Sequence, residues 1–313
     1  MKYYPVHSGY PPYAEVNSAI EAAFAEHGGG SVQMPPKVYV TFAGGGDFRT
    51  MPAYLPALGI AGVKIVNVHP HNRTRGLPTV MALTVIIDVE TGTPRAIINA
   101  TELTAMRTGA AGAVAARYLA PRQSSVTLGV VGAGRQAEAQ VEATAAALTI
   151  EEIRVWSRTG KSAEAFAARY SDYNARSVPI ERACDCDVLT TTTPSTKPFV
   201  MADWVHEGTH INAIGADAPG KQELDPALLL KAEVFVDDPR QSIHSGEINV
   251  PISTGQYNPG RIAGTLGEVV TGKKGRSSPD AITIFDSTGL AIQDLAIATL
   301  VLRDGEGYEL PFP

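Results

Sequence analysis

Residues 126–137 read VTLGVVGAGRQA. A run of apolar, partly β-branched residues stops at a glycine, and a helix-like stretch, RQAEAQVEATAAAL, follows over 135–148. The spacing Gly132, Gly134, Ala137 fits G-x-G-x-x-A, a pattern that carries meaning only where a strand ends and a helix opens, as here. The glycines permit a tight turn and let a pyrophosphate approach the backbone. The helix N-terminus adds free N–H groups and the positive end of its dipole. The alternative is a glycine turn in some other α/β protein. The context favours a dinucleotide cradle made of Gly132, Ala133, Gly134, Arg135 and Gln136.

The surrounding sequence repeats this texture. Downstream, strand-like runs occur at EIRVWSR (152–158), CDVLTTTTP (186–194), HINAIGA (210–216), AEVFVDD (232–238) and AITIFDS (281–287), with a helical KSAEAFAARYS (161–171) after the first. Strands alternating with helices predict an α/β fold with a parallel sheet covered on both faces and right-handed crossovers. Upstream, apolar spacing predicts a helix over 14–27 and strands in KVYVTF (37–42) and AGVKIVNVH (61–69). Residues 79–99 read as a hairpin around Gly92-Thr93-Pro94. The segment 102–119 reads as a helix rich in small residues, which let another backbone approach closely. A strongly apolar helix, 289–304, lies beyond the last strand and could return to the first domain.

Bulk properties limit the partners. The chain has 313 residues, 44% of them hydrophobic, enough for a sizeable core and two domains. A net charge of −6 with no long basic run argues against nucleic acid or an anionic membrane surface. The opening MKYYPVHSGYPPY does not read as a signal peptide, and no apolar stretch is long enough to span a bilayer. Cys184 and Cys186 are alternate residues whose disulfide would be strained, so they read as reduced thiols in a cytoplasmic protein. His69 and His71 lie near no third ligand, and no metal is expected.

The rim of the sheet supplies further candidates. No acid follows the second strand, where an NAD site usually has one for the ribose hydroxyl. Ser157, Arg158, Thr159 and Lys161 offer donors suited to a 2′-phosphate instead, which favours NADP(H) with NAD(H) possible; a solvated basic turn is the other reading. Thr193 and Pro194 fall where the third strand would meet bound nucleotide. Gly215 and Asp217 leave the next strand on the same side, just before a Pro219-Gly220 turn. Taken alone, Asp217 reads as a turn-capping residue. Lys64 interrupts an apolar strand, either as a buried, partnered lysine or as an edge lysine facing solvent.

The segments MPPKVYV, GVKIVNVHPHN, GLPTVMAL, RTGAAGAVAARYLA, CDVLTTTTPS, HINAIGADAPGKQELD, GEINV and ITIFDSTGLAIQD together resemble the ornithine cyclodeaminase and mu-crystallin family, and most of all its archaeal-type alanine dehydrogenases. The resemblance covers nearly the whole chain. It implies a Rossmann-type doubly wound parallel sheet over 116–289. It also implies an α+β substrate-binding and dimerisation domain from 1–115 with 290–313, assembling as a homodimer. It places Arg49, Lys64, Thr79 and Arg107 at the substrate, makes Asp217 and Lys64 catalytic, and puts Thr108, Lys221 and Ser287 at the cofactor. An arginine fork suits an amino acid's carboxylate, and an aspartate can act as general base.

The implied reaction is NAD(P)-dependent oxidation of a small L-amino acid, alanine foremost, to its keto acid and ammonia. The alternatives are an ornithine cyclodeaminase, a reductase of cyclic imino acids, or a mu-crystallin-like binder of NADPH and a small ligand. Ornithine's distal ammonium needs a buried anion. The segment TMPAYLPALGIAGV (50–63) contains no acid, so an uncharged substrate tail fits better.

Overall fold

The computed structural model describes residues 1–5 and 9–312. The chain divides into two compact units, Met1–Arg107 with Leu290–Pro313, and Thr108–Gly289.

The first unit opens with β1 (Lys2–Tyr4) and α1 (Tyr13–Gly29). An antiparallel meander follows: β2 (Val38–Thr41), β3 (Asp47–Leu55), β4 (Ile60–Val68), β5 (Val80–Ile87) and β6 (Pro94–Asn99). β1 adds in parallel beside β6. The sequence alone did not mark β3, because Pro52 interrupts it. Its missing N–H is harmless: Tyr54 N, two residues on, points away from β4 to pair with Gln33, so Pro52 faces that edge too, beyond the span of β2.

Alternation along the meander gives its sheet two faces. One carries Met51, Ala53, Leu55, Ile60, Val66, Ala82, Ile86, Ala96 and Ile98, all buried. Arg49 and Lys64 point to this same face, since Arg49 pairs with Val66 and Met51 with Lys64. The opposite face carries Val63, Ile65, Leu83, Val85, Ile87 and Ile97 at partial or full exposure.

α2 (Thr101–Leu119) carries the chain into the second unit; the two units meet between Arg107 and Thr108, eight residues before the expected boundary after 115, and both positions lie within this helix. There its small residues serve internal packing. A Cβ on Gly109 would lie 2.2 Å from the Ala139 carbonyl oxygen, so only glycine allows that approach. The strands of the second unit are β7 (Val126–Val131), β8 (Ile150–Trp156), β9 (Arg176–Ser177), β10 (Val188–Thr191), β11 (Thr196–Val200), β12 (His210–Ala213), β13 (Gln222–Leu224), β14 (Glu233–Val236), β15 (Ile262–Thr265) and β16 (Thr283–Asp286). Eight of them form a parallel sheet in the order β15-β14-β16-β12-β10-β7-β8-β9, while β11 and β13 pair separately. Its longer helices are α3 (Arg135–Ala145) and α4 (Gly160–Arg169).

The strand order reverses between β7 and β10, which is where doubly wound sheets open a ligand crevice. Apolar layers cover both faces. Leu128, Val130, Val141, Ile153, Val155 and Phe166 lie on one side, and Leu189, Ile211, Leu228, Val234 and Ile284 on the other. Both cysteines are buried free thiols in this core, and burial pushes Cys184 up to about 12.

After β16 the chain rejoins the first unit as α5 (Ala291–Asp304), which packs on α1 and across β3, β4 and β5. The last strand, β17 (Tyr308–Glu309), closes the seven-stranded sheet beside β1.

Candidate active site

In the second unit the glycine turn sits at the switch point. Gly132 has φ of 109°, a left-handed conformation, and a Cβ there would lie 2.5 Å from Thr192 Oγ1 after β10. Gly134 is the N-cap of α3 without a side-chain cap, and a Cβ on it would meet nothing within 4 Å. The first N–H groups of α3 therefore open onto free space, as an anion cradle requires. Ala133 and Gln136 are half-buried, and Arg135 is exposed and donates to Glu138 at 2.9 Å. Gln136 Oε1 and Ser287 Oγ are buried without a hydrogen-bond partner. Thr108 is buried, its carbonyl accepting from Gln140 Nε2 at 3.0 Å. These features fit a dinucleotide. Beyond β8, Ser157 is half-buried while Arg158, Thr159 and Lys161 are exposed at the start of α4.

The loops after β10 and β12 are tied together by a residue that the sequence did not single out. Glu223 on β13 is wholly buried, and its carboxylate accepts from Thr193 N at 2.7 Å and Gly215 N at 3.0 Å. It fills the space a Gly215 side chain would need, since a Cβ there would lie 2.2 Å from Glu223 Oε2. Burial raises the Glu223 carboxyl to about 7 against the pull of those N–H donors. Glu247 accepts in turn from Glu223 N and Leu224 N, and Asp286 from Glu247 N and Ile248 N. Pro194 is exposed beside this strap.

Asp217 is half-exposed and pairs with Lys221 at 2.5 Å. Asn249 grips the turn between them, accepting from Gly220 N at 3.0 Å and donating to the Lys221 carbonyl at 2.9 Å. The aspartate is thus carried on a clamped turn.

In the first unit Lys64 is fully buried on an internal strand, which excludes the solvent-facing reading. Its ammonium donates to Asp294 Oδ1 at 2.6 Å, and Arg107 Nε donates to the same oxygen at 2.9 Å. Desolvation, then the neighbouring Arg107, lowers Lys64 to about 7 against the pull of Asp294. Arg49 is also buried, held by Asp47 at 2.8 Å, with its guanidinium 5.0 Å from the centre of the Tyr39 ring. Thr79 is half-exposed, and its carbonyl accepts from His69 N at 2.8 Å. His69 stacks on Phe42 with ring centres 5.6 Å apart. Among the described residues no three His, Cys, Asp or Glu side chains gather as a metal site.

A doubly wound dinucleotide-binding unit, joined to a sheet unit with buried cations, defines a class of two-domain α/β proteins. The chain belongs to the ornithine cyclodeaminase/mu-crystallin family, whose model matches residues 12–306. It is 52% identical over 293 residues to an alanine dehydrogenase of Archaeoglobus fulgidus, covering 93% of this chain and 90% of that protein. Among solved structures it resembles an archaeal alanine dehydrogenase dimer with bound NAD, with a TM-score of 0.93 at 49% identity over 97% of this chain and 96% of that one. It also resembles the Thermococcus litoralis Δ1-pyrroline-2-carboxylate reductase in complex with NADH and L-proline, with a TM-score of 0.93 at 34% identity over 99% and 100% of the two chains.

Proposed function

We propose that this protein is an NAD(P)-dependent dehydrogenase of a small L-amino acid, foremost alanine. L-Alanine, NAD(P)+ and water become pyruvate, ammonia, NAD(P)H and a proton, and the reaction is reversible. The observation that carries the reading is the set of buried cations in the first unit. Arg49 and Lys64 project from one sheet face, and Arg107 shares a carboxylate with Lys64. Such a set suits one carboxylate, bound by charge-assisted hydrogen bonds. Residues 50–63 form the paired strands β3 and β4 and hold no acid for a second ammonium, which disfavours ornithine.

A nicotinamide cofactor, when bound, would supply the acceptor for the hydride leaving the substrate's Cα. The chain's residues do the rest. Arg49, Lys64 and Arg107 hold the carboxylate, with Thr79 beside it. Asp217 takes a proton from the water that attacks the imino carbon, and ammonia departs. The loop Gly132–Gln136 would hold the phosphates with Thr108 beside them, and Thr193, Pro194, Gly215, Lys221 and Ser287 would contribute further contacts to the cofactor.

The donors at Ser157, Arg158 and Thr159 favour NADP(H). The relatives with bound NAD or NADH make NAD(H) the competing choice. The protein is further read as a homodimer, because the outward face of the seven-stranded sheet is apolar and a similar protein is a dimer.

The test is a panel of L-alanine, L-ornithine, cyclic imino acids, and pyruvate with ammonia, each assayed with both cofactors by nicotinamide absorbance, and for ornithine also by ammonia release, because cyclisation regenerates the cofactor. Turnover of alanine and of pyruvate with ammonia supports the reading. Ornithine or cyclic imino acid turnover alone overturns it in favour of a cyclodeaminase or reductase.

A further inference from the structure

The carboxylate site read above depends on Lys64 and Arg107, and both lean on one oxygen, Asp294 Oδ1, at 2.6 Å and 2.9 Å. Asp294 lies in the first turn of α5 and is 3% exposed. Its neighbour Gln293 accepts from Arg107 Nη1 at 3.0 Å and from Leu290 N at 2.6 Å, so the same turn fixes two nitrogens of the guanidinium. Asp294 Oδ2 is buried with no hydrogen-bond partner. A purely structural carboxylate would be expected to satisfy both oxygens, and this one commits a single oxygen to two cations.

We propose that Asp294 is a positioning residue for substrate recognition: one of its oxygens holds a strand lysine and a helix arginine together, so that they receive one monocarboxylate. The inference rests on the amino acid dehydrogenase reading.

The electrostatic reason is specific. The charged groups acting on Lys64 are Arg107 from α2, Asp294 from α5 and Lys37 from the segment before β2. Burial, Arg107 and Lys37 all favour the neutral amine, and Asp294 opposes them. With Asp294 in place the Lys64 pKa is about 7; without that carboxylate it would fall further, the amine would be neutral at neutral pH, and a neutral amine binds a carboxylate poorly.

The experiment compares the native protein with Asp294→Asn and Asp294→Glu. In Asp294→Asn the KM for the amino acid should rise about tenfold, with kcat changing far less. The alkaline limb of kcat/KM should move down by about one pH unit or more, because Lys64 loses its proton earlier. Cofactor affinity should not change. Asp294→Glu keeps the charge and should keep the limb at its native pH. An unmoved limb in Asp294→Asn, or an equal shift in both variants, overturns the proposal.

Should Asp294→Asn fail to fold, Arg107→Gln gives the opposite arm. Removing the competing cation should raise the Lys64 pKa, and an unchanged or lowered value counts against the proposal. Lysine-selective ¹³C NMR reads that titration without turnover. A protein that oxidises no amino acid would overturn the dehydrogenase reading, and the Lys64 titration in native and Asp294→Asn protein would still decide whether Asp294 holds the charge.

Discussion

Asp217 shows how a residue's meaning depends on its surroundings. As a string of letters, an acid before Pro-Gly is a common turn. In the fold, Asn249 holds that turn, and Lys221 neutralises the carboxylate while leaving it half-exposed. If Asp217 is the general base, Asp217→Asn should lower kcat by ~10²–10⁴-fold, because the amide keeps its size but cannot take a proton. Cofactor affinity, proposed to rest mainly on the loop at Gly132–Gly134, should stay native. Near-native turnover in a steady-state assay would return Asp217 to a structural role. Arg158 offers a second test at this scale. Arg158→Asp places an acid where a ribose hydroxyl would lie, so the ratio of NADPH to NADH affinity measured by calorimetry should fall or invert. Equal affinities in the native protein would remove the NADP preference.

At the scale of elements, Glu223 makes β13 a strap across the loops that follow β10 and β12. Burial raises its folded-state pKa to about 7 from the ordinary 4.5, so the folded protein binds this proton more tightly than the unfolded chain. Its contribution is therefore complete below about 4.5 and is lost as pH rises through about 7, on the order of 3 kcal/mol across the window. The midpoint of thermal unfolding should fall over that range in the native protein, and Glu223→Gln should flatten the slope. An identical slope in both proteins would show that Glu223 does not titrate there. The element scale also explains what the sequence revealed and what it hid. Of the legible strands of the parallel sheet, β7, β10, β12, β14 and β16 are buried along almost their whole length. β8 was legible by alternation, with Ile153 and Val155 buried on either side of the partly exposed Arg154. β9, β13 and β17 are two or three residues long and carry no periodicity. The partner of Lys64 was invisible for a different reason. Asp294 lies 230 positions away, and only the packing of α5 on β4 makes the two neighbours.

At the scale of the whole molecule, the outward face of the seven-stranded sheet demands a cover. Val63, Ile65, Leu83, Val85, Ile87 and Ile97 form one contiguous apolar surface by register, with Leu83 43% exposed. A patch of this kind marks an interaction surface. On the homodimer reading proposed above, the occupant is a second copy of the chain, because a two-fold contact sets the same apolar face against itself. Val85 stands between Val63 and Ile97 in the middle of the patch. A lysine at position 85 would remain solvated in a monomer, leaving the fold intact. In a dimer it would bury two like charges against each other without partners, which costs several kcal/mol per ion. Sedimentation velocity at micromolar concentration should therefore show a dimer for the native protein and mostly monomer for Val85→Lys, with unchanged far-ultraviolet circular dichroism. A native monomer, or a Val85→Lys dimer of undiminished affinity, would mean that this face is covered by something other than its own copy.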